Sequence, residues 1–167
     1  MLRDQLIPFL QDKISSSSSG EVRSPTSSSL KFSMMGLCYG SWVIMKACGC
    51  DDLSPYISCG AHFHPAISRT EQEVFDRDDI DLCKHIRCPQ YFLATRDEPD
   101  SWKPNGQAHK ALQDNTNVEE IQFVAAPSTE IHGFMTRSDW QNPKTRKAME
   151  SALQESCDFV KKYHSAE

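Results

Sequence analysis

The chain has 167 residues, a length that suits one domain, with 38% hydrophobic and 25% charged residues, a composition that can build a core. Its net charge of −5 argues against a nucleic-acid-binding face, which needs clustered positive charge. It has no run of about 18 apolar residues to span a membrane, and its start, Met1-Leu2-Arg3-Asp4, does not read as a secretory signal. The seven cysteines (38, 48, 50, 59, 83, 88 and 157) are odd in number and scattered, which suits free thiols in a cytoplasmic protein better than a disulfide scaffold.

In chain order, the apolar spacing of Leu2, Leu6, Ile7, Phe9, Leu10 and Ile14 predicts an N-terminal helix over 1–14. Residues 15–29 are mostly serine and predict a flexible insertion. From residue 30 the pattern alternates. Strands are expected at Leu30–Leu37, Tyr56–Phe63, Gln90–Thr95 and Ile121–Ala126. Helices are expected at Trp42–Ala47, Gln107–Gln113 and Pro143–Tyr163, the last with an apolar stripe of Ala148, Leu153, Cys157, Phe159 and Val160. The acidic stretch Asp76–His85 predicts a loop with a short helix. Alternation of this kind predicts an α/β domain, a mainly parallel sheet with helices on both faces.

Between the first strand and its helix stands Gly36-Leu37-Cys38-Tyr39-Gly40. A nucleophile on a sharp strand-to-helix turn needs small residues two positions to either side. The following helix points its positive end at the turn, where an oxyanion forms, and the N–H of Tyr39 is the natural oxyanion donor. Asp97 follows the Gln90–Thr95 strand, and His132 follows the last strand within Glu130-Ile131-His132-Gly133-Phe134. Nucleophile, acid, histidine is the chain order of α/β-hydrolases. Asp97 is favoured over Asp100 because it comes first after the strand. Taken singly, each residue has a plainer reading: a buried cysteine, a solvated loop acid, a structural histidine.

Gly-Leu-Cys-Tyr-Gly, His64-Pro65, the Asp97 turn and His132-Gly133-Phe134-Met135-Thr136-Arg137 together resemble the dienelactone hydrolase (carboxymethylenebutenolidase) family, from about Lys31 to the C-terminus. The resemblance implies a partial α/β-hydrolase fold and hydrolysis of small esters or lactones through an acyl-enzyme, with Cys38 as nucleophile, Asp97 as acid and His132 as base. Arg137 matches a position that binds substrate carboxylate in such enzymes, although a structural salt bridge explains it equally well. No cofactor is implied.

The N-terminal half of that fold has no counterpart before Leu30. The expectation is therefore an open sheet edge at Leu30–Leu37, where self-association is the natural outlet. A non-catalytic remnant acting by protein interaction is the alternative to an enzyme. Cys48, Cys50, Cys59, His62 and His64 are soft metal ligands in a short span, but Cys-x-Cys spacing fits structural zinc poorly. Trp42, Trp102 and Trp140 are candidates for a pocket wall or for plain packing.

Overall fold

The computed structural model describes residues 31–164. The expected N-terminal helix and serine-rich insertion lie outside the described residues. So does the first residue of the strand expected from Leu30.

Four strands form one all-parallel sheet in the order β1-β2-β3-β4: β1 Phe32–Leu37, β2 Ile57–Phe63, β3 Gln90–Ala94 and β4 Ile121–Ala125. Every residue of β2 and β3 is buried, as both faces of a parallel sheet must be covered by crossover segments. The flanking strands β1 and β4 are half-buried, which is the pattern of sheet margins.

The crossovers supply the helices. α1 spans Tyr39–Cys48, α2 spans Ile67–Arg69 and runs on as a π turn over Thr70–Val74, and α3 spans Gln107–Gln113. A 3₁₀ turn at Asp81–His85 falls inside the expected acidic loop. Two short α-helical pieces, α2 and α4 (Phe134–Arg137), have no counterpart in the sequence reading. Each has three or four residues, too few for apolar periodicity to register. The last helix, α5, spans Pro143–His164. Asn142 caps it, its Oδ1 accepting the Lys144 N–H at 3.0 Å, and Pro143 occupies the first turn, where a missing N–H costs nothing.

Two apolar clusters sandwich the sheet. One packs Ile44, Met45, Leu53, Ile86, Phe92, Trp102 and Leu112. The other packs Phe63, Tyr91, Leu93 and Phe134 against Ala152 and Phe159 of α5. Trp102 is wholly buried and donates its indole N–H to the buried Asp79 carboxylate, so it is a packing residue. Trp140 is 61% exposed.

The expected stripe of α5 needs one correction. Ala152, Ser156 and Phe159 are its buried residues, whereas Leu153 is exposed. Buried positions four and three residues apart share one helix face, and Leu153, one step beyond Ala152, is turned about 100° away from it.

Candidate functional site

The strands are parallel, so their C-terminal ends lie along one margin of the sheet, where open α/β sheets hold their ligands. Four chemically capable side chains reach this margin: Cys38 just past β1, His64 just past β2, Glu98 in the turn after β3 and His132 in the loop after β4.

Cys38 has φ 52° and ψ −119°, a conformation rare for any residue with a Cβ. Such backbones cost about 1–3 kcal/mol and persist where the surroundings over-determine them. Here the Cys38 N–H donates to Phe63 O at 3.1 Å, and Cys38 O accepts from Ser41 N and Ala66 N, each at 3.1 Å. Ser41 Oγ donates to Gly36 O at 3.1 Å, tying α1 back to β1. A Cβ on Gly36 would lie 2.7 Å from the Gly40 carbonyl carbon and 2.7 Å from Ile44 Cδ1, so the first glycine is required by the close approach of helix to strand. The second glycine is different: a Cβ on Gly40 would meet nothing within 4 Å.

His132 closes a hydrogen-bonded chain across the sheet margin. Its Nε2 lies 3.1 Å from Cys38 Sγ, and its Nδ1 lies 2.7 Å from Glu98 Oε1. With a carboxylate on Nδ1, the neutral ring carries its proton there and offers Nε2 to the thiol. Glu98 is 5% exposed and also accepts from Thr95 Oγ1 at 3.0 Å. Burial pushes its carboxyl above the usual range, against the opposing pull of His132.

The acid at the ring is therefore Glu98, where the sequence reading has Asp97. Asp97 is exposed, and its Oδ1 accepts the backbone N–H of His132 at 2.8 Å. Partial burial raises its pKa, but that N–H and other donors outweigh the effect and hold it below the usual range. The two acids divide the work, one orienting the ring and the other anchoring the loop. The turn explains the swap: the Glu98 N–H donates to Thr95 O at 3.2 Å, folding residue 98 back toward the sheet while 97 faces outward. The adjacent pair Asp97-Glu98 after a strand is the signal that sequence reasoning passed over. Asp100 is exposed and ion-pairs with Lys103 at 2.8 Å, away from the ring.

His64 is the other residue whose surroundings the sequence did not disclose. Its backbone has φ 38°, its ring is fully buried, and the ring packs edge-on to His132 with centroids 4.9 Å apart. Neither ring nitrogen has a hydrogen-bond partner among the described residues. Burial first, then the neighbouring His132, lowers its pKa from 6.5 to about 4. At neutral pH it is an uncharged wall behind the His132 imidazole, and it does not compete for the thiol proton.

Arg137 donates Nη2 to His132 O at 3.3 Å, and its guanidinium lies over Gly133. Gly133 has φ 89°, a conformation that calls for glycine, and a Cβ there would displace the Arg137 guanidinium, whose nitrogens would lie 2.4 Å from it. Tyr39 opens α1, which directs its N-terminal N–H groups toward the elbow. The Cys48, Cys50, Cys59, His62 and His64 set does not converge: among the described residues, no three metal-ligating side chains are placed to hold an ion. Cys48 and Cys59 are buried, and His62 instead stacks on Phe92 and hydrogen-bonds Gln90 Oε1 at 2.7 Å. No helix among the described residues is long and apolar enough to cross a membrane.

Comparison with models of protein families, with curated proteins and with solved structures finds no match to this chain. The functional reading therefore stands on the geometry at the sheet margin.

Proposed function

We propose that the chain is a cysteine hydrolase of small esters or lactones, of the dienelactone-hydrolase type. The observation that carries this reading is the continuous contact Cys38 Sγ–His132 Nε2–His132 Nδ1–Glu98 Oε1, assembled from three separate loops on a strained elbow. In the reaction, His132 Nε2 takes the thiol proton and Cys38 Sγ bonds to the substrate carbonyl carbon. The tetrahedral oxyanion is held by the Tyr39 N–H at the start of α1. The ester C–O bond breaks, and the leaving oxygen takes the proton from His132. Water then attacks the thioester, gives a proton to His132, and the C–S bond breaks. The carboxylic acid departs, and the returned proton restores the thiol. Glu98 holds the imidazole in the required tautomer throughout.

The alternative is a hydrolase-fold scaffold that works by association. It is supported by the position of β1, which pairs with β2 alone among the described residues and carries exposed Met35 and Leu37. Turnover of 4-nitrophenyl acetate by the purified chain and its Cys38→Ala variant separates the two. Hydrolysis lost in the variant supports the enzyme. A folded parent without activity, eluting as a dimer or larger species on size exclusion, supports association.

A further inference from the structure

The flank of the elbow carries a structure that the reaction above does not use. Tyr39, the residue after the nucleophile, stacks on Trp42 with centroids 5.3 Å apart and planes 28° apart. Trp42 stacks on Phe75 at 5.2 Å and 12°. The Arg77 guanidinium carbon lies 4.6 Å from the Phe75 ring centroid and closes the column. The column is held in place from below. Glu71 is 1% exposed, and its Oε1 accepts the Trp42 indole N–H at 2.7 Å. Arg77 is tied to Glu71 by an ion pair at 3.5 Å and by its backbone N–H, which donates to Glu71 O at 2.9 Å. A left-handed Asp76 with φ 50° turns the chain so that Phe75 and Arg77 both enter the stack.

A soluble domain gains nothing in stability by leaving such a surface in water: Tyr39 is 53% exposed, Phe75 39% and the adjoining Val74 68%. The column ends at the Tyr39 ring, which is 53% exposed and belongs to the residue after Cys38, so its Cα lies about 3.8 Å from that of the nucleophile. A flat ring laid on Tyr39 would extend the column by one layer, on the residue next to the nucleophile.

We propose that Tyr39, backed by Trp42, Phe75 and Arg77, is the subsite for a planar aromatic group of the substrate, making aryl esters and aryl-substituted lactones the preferred class. The inference rests on the hydrolase reading for its substrate but not for its binding surface, so the test separates them. Phenyl acetate and cyclohexyl acetate, similar in size, are titrated into the Cys38→Ala chain while the three tryptophan indole N–H signals are followed by NMR. Phenyl acetate shifts Trp42 and leaves Trp140 in place. It binds about threefold to tenfold more tightly than cyclohexyl acetate, the range that aromatic stacking supplies. Adding Tyr39→Ala removes that preference and Tyr39→Phe keeps it. An unmoved Trp42, or equal affinity for the two esters, overturns the proposal and indicates that the column is covered by other residues of the chain or by a second copy. Selective phenyl acetate binding with no hydrolysis by the Cys38 parent leaves the subsite standing and refutes the hydrolase reading instead.

Discussion

The imidazole Nδ1 of His132 meets Glu98 Oε1 at 2.7 Å, while the neighbouring Asp97 reaches only the backbone N–H of the same histidine. Two consecutive acids thus hold one residue by its ring and by its main chain. Removing charge from each has different consequences. Glu98→Gln leaves the shape but offers the ring the wrong partner, and kcat falls by about 10³–10⁴, as when the acid of a triad is neutralised. Asp97→Asn keeps an acceptor for the His132 N–H, and the loss stays within about tenfold, the scale of one weakened hydrogen bond. Steady-state hydrolysis of 4-nitrophenyl acetate by the two variants measures the difference. Equal losses would remove the distinction between the acids.

Thiol accessibility leaves Cys38, Cys50 and Cys157 as the partly exposed cysteines among the described residues, and of these Cys38 is the one with His132 Nε2 at 3.1 Å. Among the described cysteines, 48, 59, 83 and 88 are buried. Burial raises the Cys59 thiol and pushes Cys83 up to about 12, and contact with Cys48 together with burial raises Cys88. Little thiolate exists at those three sites at neutral pH. Iodoacetamide in limiting amount should label Cys38 ahead of the buried set, in step with loss of hydrolysis, as followed by peptide mass mapping. Labelling of Cys50 or Cys157 that abolishes activity while Cys38 stays free would contradict the assigned nucleophile.

Acid lowers the stability of the fold through two histidines. His62 and His64 are both fully buried, and burial lowers each from 6.5 to about 4. Below pH 6.5 the unfolded chain binds protons that the folded chain refuses, so stability is full above that pH and declines as pH falls toward 4. At about 1.4 kcal/mol per pH unit, each histidine removes about 3 kcal/mol over that window. Urea midpoints at pH 7.5 and 4.5 read the combined effect. His64→Phe, a flat ring that does not titrate, should show a clearly smaller drop than the parent.

The two glycines of the elbow differ in what they tolerate. Gly36→Ala forces a methyl against the Gly40 backbone and costs about 1–3 kcal/mol, typical of overpacking. Gly40→Ala meets open space within α1 and gains about 0.5–1 kcal/mol from helix propensity. Thermal unfolding of the two variants should move in opposite directions.

Residue order alone made much of this protein legible. The alternation of apolar runs gave four strands and their principal helices within a few residues, because periods of 2 and 3.6 are local properties of the chain. The elbow could be read because a strained turn beside a closely packed helix leaves a local mark, as Gly36 shows. The His132 position could be read because it follows the last strand within a glycine-bearing turn. What depended on tertiary structure was orientation. Whether Asp97 or Glu98 meets the imidazole rests on how the Thr95–Glu98 turn folds back on the sheet, a contact 34 residues from its partner in sequence. The same holds for Leu153, whose exposure follows from where α5 lies on the sheet, and for Tyr39, Trp42 and Phe75, which become one column only when α1 and the chain beyond α2 are brought together. Local spacing sets which residues a segment can present. The packing of distant segments decides what each of them meets.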